Sequence, residues 1–278
     1  MRAIGHHSTG IALSAILVTA AAVAPIPSPA VADGHTTLDR PHVLDGDVAE
    51  ILVRVHGSSA CSGTPIVDTA LVITAAHCVL DDAGEVTAVT VVRDGVEYTP
   101  QAVLVNTRYH ETQSTLLDAA VLVMRHVVPG PAARLGDTLP TQGLVTLAGF
   151  QPIDTDGSLL RGTRYGQRPI PKGVTGGVVQ IESLPSGCVE RASAIEVADD
   201  QLKISCGLIP GASGGGLFAE QGGELVLLGV TSTVGRDLSY NGLTPLAAVH
   251  ALLDHPGDFT HVVAVERSFA PRPTITRQ

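Results

Sequence analysis

Short apolar runs, rich in β-branched residues, recur along most of the chain, and Gly, Pro, Asp and Asn residues separate them. The runs cover residues 51–55, 70–73, 88–92, 101–105, 119–124, 144–148, 177–181, 194–197 and 225–230. Many short strands with turn residues between them are typical of all-β sandwiches and barrels, whereas strands alternating with long helices would indicate a parallel sheet. The pattern therefore predicts an all-β fold.

One segment near the end of the chain departs from this pattern. Residues 244–253 start with Thr244 as a possible N-cap, followed by a proline and then by good helix formers. Leu246, Val249 and Leu253 repeat at helical spacing. We therefore expect a single helix here, after the last strand.

Two polar stretches predict loops. Residues 151–176 are rich in Gly, Arg, Pro and Asp and have little apolar periodicity, so we expect long surface loops near the middle of the chain. The last residues, 266–278, contain two prolines and predict a flexible tail.

The first 32 residues have the organisation of a secretory signal peptide. Arg2 precedes an apolar run over residues 11–24, and Ala30 and Ala32 form a small-x-small cleavage site. An uncleaved membrane anchor is the alternative, but three prolines between residues 24 and 30 disfavour a continuous helix. We expect cleavage after Ala32, leaving Asp33 as the first residue of a secreted, extracellular protein without stable membrane association.

The charge balance limits the classes of partner. The chain has 17 basic and 27 acidic residues, a formal net charge of −10, and only two lysines. An acidic chain without a basic run predicts no nucleic-acid partner.

The four cysteines all follow the predicted cleavage site. An even number of cysteines in an exported chain favours two disulfides over free thiols. Three pairings are possible, and the residues alone do not choose among them. A zinc site is the alternative; His250 and His255 are close together, but no Cys-x-x-Cys pair accompanies them. We expect neither a metal nor a cofactor. The cysteines are Cys61, Cys78, Cys188 and Cys206.

Three short motifs carry residues suited to catalysis. His77 follows an apolar run in Thr-Ala-Ala-His-Cys, and a histidine side chain can accept and return a proton near neutral pH. Asp118 leads directly into the run 119–123, where a carboxylate is costly to bury unless it is paired. Ser213 lies between glycines in Pro-Gly-Ala-Ser-Gly-Gly-Gly, a segment that can turn sharply and present backbone N–H groups to a ligand. Each motif alone also fits an ordinary packed histidine, turn aspartate or flexible linker.

Together the motifs resemble the chymotrypsin-like (trypsin-like) serine protease family. Residues 74–78 match the family's Thr-Ala-Ala-His-Cys at every position, and residues 211–215 match Gly-Asp-Ser-Gly-Gly except at Ala212. The order His, Asp, Ser is that of the family, with separations of 41 and 95 residues. The resemblance covers roughly residues 50–253.

The resemblance implies a fold and a set of roles. The fold is two six-stranded antiparallel β-barrels with a C-terminal helix, over residues 50–265 and with the boundary near 130–145. Residues 33–49 are then a short N-terminal segment or a propeptide. Ser213 would be the nucleophile, His77 the general base and acid, and Asp118 the residue that orients the imidazole. The N–H groups of Gly211 and Ser213 would form the oxyanion hole. The family's disulfide beside the histidine implies Cys61–Cys78, which leaves Cys188–Cys206 as the second pair.

The departures from the family pattern narrow the expected function. Ala212 replaces an aspartate that pairs with a newly cut N-terminus in zymogen-activated members of the family. The sequence Ile-Val-Gly-Gly is also absent near the expected start of the mature chain. We therefore expect an active site that forms without zymogen activation. Gly207 aligns with the floor of the primary substrate pocket, where trypsins have Asp, which disfavours Arg or Lys. Ser232, Thr233 and Val234 align with the strand that lines this pocket, and Val234 predicts a shallow pocket for small apolar side chains.

The sequence therefore predicts a secreted serine endopeptidase that forms an acyl-enzyme, acts on proteins or peptides and is a monomer. Two alternatives use the same residues differently. An esterase would use the same triad on ester substrates. A catalytically inactive binding protein would keep the barrels without the chemistry.

Overall fold

The computed structural model describes residues 41–106, 108–152, 183–198, 201–208, 210–235 and 240–255, and all structural statements below concern these residues. The predicted signal peptide, the strand predicted at 177–181, most of the predicted loops at 151–176 and the predicted tail at 266–278 lie outside them.

Within these ranges the chain forms sixteen β-strands and three short α-helices. The strands of the first half are β1 His42–Val43, β2 Val53–His56, β3 Ala60–Pro65, β4 Leu71–Thr74, β5 Thr90–Arg93, β6 Val96–Tyr98, β7 Pro100–Val105 and β8 Ala120–Met124. Those of the second half are β9 Arg134–Leu135, β10 Leu144–Pro152, β11 Ser183–Arg191, β12 Glu196–Ala198, β13 Gln201–Ile204, β14 Gly216–Gln221, β15 Glu224–Val234 and β16 Asn241–Pro245. The helices are α1 Asp47–Ile51, α2 Arg108–Thr112 and α3 Leu246–Asp254.

The first sheet closes on itself. Its strand order is β6-β5-β2-β3-β4-β8-β7, with every pair antiparallel. Only Thr99 separates β6 from β7, so these two form one bent strand that pairs with β5 at one end and with β8 at the other. The seven segments therefore make a ring of six strands.

The second sheet closes in the same way. Its order is β1-β11-β10-β14-β15-β16-β13-β12. A short 3₁₀ turn, Ala192–Ala194, joins β11 to β12, and these two strands pair with β10 and β13 respectively. Counting them as one bent strand gives a second ring of six, to which β1 and the parallel strand β9 are added. The predicted all-β fold of two antiparallel barrels is confirmed.

Alternating burial explains why these segments are strands. In β2, Val53 and Val55 are fully buried while His56 is exposed, and β13 alternates in the same way. Strand β8 instead has four of its five residues buried, because both of its neighbours and the inter-barrel core cover it. In β2 and β13 the two faces therefore separate core from solvent as a period of two requires, whereas both faces of β8 are buried.

The predicted C-terminal helix is present, but its predicted cap is wrong. Helix α3 begins at Leu246, and Thr244 lies in the preceding strand. The Thr244 hydroxyl donates to the carbonyl oxygens of Thr115 at 2.7 Å and Asp118 at 3.0 Å, so it ties the helix entry to the segment before β8 and does not cap the helix.

Candidate active site

His77 and Asp118 are brought together by the pairing of β4 with β8. Thr74, the last residue of β4, lies opposite Ala120, the first residue of β8. His77 follows β4 within the 3₁₀ turn Ala76–Cys78, and Asp118 precedes β8 directly after another short turn. Antiparallel pairing places the end of one strand beside the start of the other, so the two side chains meet.

His77 and Ser232 make three hydrogen bonds to the Asp118 carboxylate. The backbone N–H of His77 donates to Oδ1 at 3.0 Å, and the His77 ring Nδ1 lies 2.8 Å from Oδ2. The hydroxyl of Ser232 also donates to Oδ2. Asp118 is 1% exposed, whereas 31% of the His77 side chain is exposed, so the pair is anchored inside the protein and open at the imidazole.

These contacts decide the charge of Asp118. Burial alone would raise the pKa of Asp118, but the hydrogen bond and charge of the His77 ring, the Ser232 hydroxyl and the His77 amide together hold it below its ordinary value of 3.8. A carboxylate that accepts several hydrogen bonds stays ionised even when it is buried. Asp118 can therefore hold the imidazole in one tautomer and stabilise its protonated form.

Tyr109 lies near the same carboxylate. It sits on α2, is buried in the core of the first barrel, and its pKa is raised well above its ordinary value, first by burial and then by the negative charge of Asp118. The phenol therefore remains neutral beside the ionised carboxylate.

Ser213 is held by backbone contacts. Its carbonyl oxygen accepts a hydrogen bond from the N–H of Ser62 at 2.7 Å. The N–H of Gly214 donates to the Thr231 carbonyl oxygen at 2.8 Å, and the N–H of Gly215 donates to the Ala212 carbonyl oxygen at 2.9 Å. These bonds tie the serine turn to β3, to β15 and to itself.

Two glycines allow this turn to pack so closely. Gly214 has a φ of +76°, and a Cβ there would lie 2.2 Å from the Thr74 hydroxyl oxygen. A Cβ at Gly215 would lie 2.1 Å from the Ala148 carbonyl oxygen. The serine turn therefore lies directly against the end of β4, three residues before His77 in the chain.

The predicted oxyanion donors lie on this turn. Gly211 has a φ of +108°. Within the described residues, neither its N–H nor that of Ser213 donates to a protein acceptor.

A small cavity of about 70 Å³ opens beside Ser213. Its lining includes Ser232, Thr233 and Val234 at the end of β15, together with Leu208 and Asn241. The predicted floor residue Gly207 directly precedes Leu208 and is not itself part of the lining. The same Ser232 that donates to Asp118 thus borders the cavity of Ser213, which joins the two halves of the candidate site.

Asn241 and Ser62 were not predicted from the sequence. Asn241 is buried; its Oδ1 accepts from the N–H of Leu208 at 2.7 Å and its Nδ2 donates to the Thr233 carbonyl at 3.2 Å. In the sequence it sits in Tyr-Asn-Gly, which resembles an ordinary turn. Ser62 sits in Cys-Ser-Gly, where no apolar alternation indicates the strand that contains it.

The disulfides are Cys61–Cys78 and Cys188–Cys206, as the family resemblance implied. One group of potential metal ligands occurs in the described part of the chain, namely Cys61, Cys78 and His77. Both sulfur atoms of that group are joined in the disulfide, so they do not offer thiolates to a metal. None of the helices within the described ranges has the length and apolar character needed to cross a membrane.

Comparisons with known proteins concern the family and the fold. The profile of the trypsin-like peptidase domain matches residues 61–226, more than half of the chain. Among curated proteins no sequence matches significantly.

Three solved structures illustrate the structural likeness. The protease Anisep from Arthrobacter nicotinovorans has 15% identity and a TM-score of 0.51, covering 74% of this chain and 93% of its own. A Glu endopeptidase has 15% identity and a TM-score of 0.53, covering 78% and 95%. The thermostable serine protease AL20 from an extremophilic microorganism has 13% identity and a TM-score of 0.53, covering 76% and 97%. At such identities the likeness concerns the fold alone.

Proposed function

Because the chain belongs to the trypsin-like peptidase family, we propose that it is a serine endopeptidase with His77, Asp118 and Ser213 as its catalytic triad. The observation that carries the proposal is the buried, ionised Asp118, which is bonded to His77 Nδ1 at 2.8 Å and to the hydroxyl of Ser232, a residue that also borders the cavity of Ser213. Fold and family support peptidase activity, and these contacts support the residue roles.

The proposed reaction proceeds in two steps. The Ser213 oxygen attacks the carbonyl carbon of the scissile bond while His77 Nε2 accepts its proton. The amides of Gly211 and Ser213 stabilise the resulting oxyanion. Collapse of the tetrahedral intermediate breaks the C–N bond, and His77 returns the proton to the leaving amine. Water then attacks the ester carbonyl of the acyl-enzyme and gives up a proton to His77. Collapse breaks the bond between the acyl carbon and the Ser213 oxygen, and His77 returns the proton to that oxygen as the peptide acid leaves.

The site is proposed to form without a zymogen switch. Ala212 is 1% exposed and packs against Gly149, whose added Cβ would lie 2.7 Å from the Ala212 Cα. An apolar side chain in this place needs no charged partner, so no newly cut N-terminus is required to complete the turn.

The cavity is proposed to select small uncharged side chains on the acyl side of the cleaved bond. Among the described residues its lining carries no charged side chain, and burying an unpaired charge against these residues would be costly. Its volume of about 70 Å³ is roughly half of a cavity that holds benzene, about 150 Å³. Alanine, serine, threonine and valine fit this description better than lysine, glutamate or phenylalanine.

Secretion is the remaining part of the proposal. Residues 1–32 are proposed to be a signal peptide, and two disulfides fit an oxidising compartment. N-terminal sequencing of protein recovered from the culture medium tests this directly. A start at Asp33 supports the proposal, and an uncleaved Met1 would contradict it.

A fluorophosphonate probe tests the catalytic role. It should label the wild-type protein at Ser213 and leave Ser213→Ala unlabelled. Absence of labelling in folded wild-type protein would favour the inactive binding protein. Casein hydrolysis compared with hydrolysis of a small ester then separates a peptidase from an esterase.

A further inference from the structure

We propose that Ser62 is a positioning residue for the oxyanion hole, with its hydroxyl fixing the backbone of Gly211. Ser62 lies on β3 of the first barrel and is fully buried, whereas Gly211 belongs to the serine turn of the second barrel. This inference rests on the proposed function, because the oxyanion hole is the part of that mechanism it explains.

The Ser62 hydroxyl bridges two backbone groups of the second barrel. It donates to the Gly211 carbonyl oxygen at 2.8 Å and accepts from the N–H of Phe150 at 2.7 Å. A backbone amide can only donate, so the hydroxyl must accept that bond and its own proton is left for the carbonyl. The direction of both bonds is therefore fixed.

The backbone of Ser62 adds two further bonds. Its N–H donates to the Ser213 carbonyl at 2.7 Å, and its own carbonyl accepts from the Thr74 hydroxyl at 2.7 Å. Thr74 ends the strand that leads to His77. One buried serine thus contacts both the nucleophile's turn and the strand that presents the general base.

The Gly211 carbonyl lies in the peptide plane between the two oxyanion donors. The N–H of Gly211 belongs to the preceding plane, and the N–H of Ser213 belongs to the following plane. That following plane is held by the bond from the Gly215 amide to the Ala212 carbonyl. The central plane is held by the Ser62 hydroxyl, so loss of this bond frees the rotation that sets the angle between the two donors.

Gly211 and Ala212 cannot supply this restraint themselves. Glycine rotates freely about φ and ψ, and the φ of +108° at Gly211 is one that other residues rarely adopt. Ala212 has no polar atom in its side chain. The orientation of the turn must therefore come from neighbouring groups, of which the Ser62 hydroxyl makes the direct side-chain contact.

The test compares Ser62→Ala with Thr64→Val. Thr64 lies two residues away on β3, is also buried, and its hydroxyl has no partner within the described residues. Thr64→Val therefore removes a buried hydroxyl from the same strand without touching the serine turn. Ser62→Cys, which keeps a weak donor, gives a second variant with a smaller expected loss and a safeguard if Ser62→Ala does not fold.

We expect kcat on a peptide substrate to fall by about 10- to 100-fold in Ser62→Ala, with KM within about twofold. Loss of an oxyanion donor itself costs about 10²- to 10³-fold, and a misoriented donor should cost less. Ser62→Cys should lie between Ser62→Ala and wild type, and Thr64→Val should keep the wild-type kcat. A wild-type kcat in Ser62→Ala, or an equal loss in Thr64→Val, overturns the inference.

Crystal structures of wild type and Ser62→Ala separate this inference from the proposed function. We expect the Gly211 carbonyl to turn away from its wild-type direction in the variant. If the wild-type protein neither reacts with the fluorophosphonate probe nor cleaves peptides, the proposed protease function is wrong. The orientation of the Gly211 peptide in the two crystal structures then still tests the role of Ser62. An unchanged Gly211 peptide in Ser62→Ala overturns the inference whether or not the protein is an enzyme.

Discussion

The two barrels hold their parts of the candidate site by different means. In the first barrel, Asp118 and His77 are fixed by side-chain hydrogen bonds to an ionised carboxylate. In the second, Ser213 is fixed by backbone hydrogen bonds and by glycines that let the chain pack at distances no side chain would permit. Removing the charge of Asp118 should therefore disrupt the part of the site in the first barrel. Adding side-chain volume to the serine turn should disrupt the part in the second barrel.

Removing the charge of Asp118 should have the largest effect. In Asp118→Asn we expect kcat to fall by about 10⁴-fold, because an amide can hold the imidazole in the wrong tautomer and does not stabilise its cation. Steady-state kinetics on a peptide substrate measure this. Asp137→Asn is the matched control, since Asp137 also lies near a histidine, with Oδ1 3.6 Å from His250 Nε2, but its side chain is exposed. A comparable loss in the control would show that the contrast between the barrels is false.

Adding one methyl group to the serine turn should have the next largest effect. Gly214→Ala places a Cβ 2.2 Å from the Thr74 hydroxyl oxygen and 2.4 Å from the Ser62 carbonyl oxygen. Gly223→Ala has nearly the same positive φ, +81° against +76°, but open space around it. In both variants, placing alanine at a positive φ lowers the unfolding free energy by roughly 1–2 kcal/mol.

The difference in stability between the two variants measures the effect of the steric clash at position 214, because both variants share the cost of a positive φ. We expect Gly214→Ala to lose about 2 kcal/mol more unfolding free energy than Gly223→Ala, in the range of overpacking, and at least tenfold more activity. Urea unfolding and peptide hydrolysis measure the two quantities. Equal losses would mean that the serine turn is not held by close packing.

The two disulfides should contribute equally to stability and unequally to catalysis. Their sequence separations are 17 and 18 residues, so loop closure predicts about 3 kcal/mol for each. Cys78 adjoins His77, whereas Cys206 lies two residues before Leu208 of the cavity.

Paired cysteine-to-alanine variants test this expectation. Loss of Cys61–Cys78 should lower kcat, and loss of Cys188–Cys206 should mainly raise KM, with similar shifts in Tm. The same kinetic change in both variants would contradict the division of labour between the barrels.

Lowering the pH should destabilise the first barrel through Asp118, and we expect this to be the smallest of the four effects predicted here. The pKa of Asp118 is lowered on folding, so its contribution to stability is present above its ordinary value of 3.8 and is lost as pH falls toward the folded value. We therefore expect the stability advantage of wild type over Asp118→Asn to shrink below about pH 4. An advantage that grows in this range would contradict the lowered pKa.

The sequence predicted those features that depend on local pattern. Strands with clear apolar runs, such as β7 and β8, appear close to their predicted positions. Strand β3 was missed because Ala60–Pro65 combines small, polar and glycine residues without an apolar run. Strand β14 was missed because Gly216–Gln221 has only two large apolar residues, Leu217 and Phe218, and they are adjacent and do not alternate with polar ones. Thr244 was misassigned for a related reason, since its hydroxyl partners lie 129 and 126 residues away.

The candidate site divides in the same way. His77, Asp118 and Ser213 stand in recognisable motifs, and the pairing of β4 with β8 brings the first two together. The groups that orient them do not stand in such motifs. Ser62 reaches Gly211 across 149 residues, and Ser232 reaches Asp118 across 114. Such contacts depend on how the two barrels meet, which no local pattern specifies.

The acyl-enzyme is the most direct test of the central claim. Wild-type protein mixed with p-nitrophenyl acetate and quenched in acid should carry one acetyl group, which peptide mapping by mass spectrometry should place on Ser213. A burst of nitrophenol equal to the protein concentration should accompany it, and both should disappear in Ser213→Ala. An acetyl group on another residue as the turnover intermediate, or a protein that cleaves peptides without any acylated Ser213, would contradict the account.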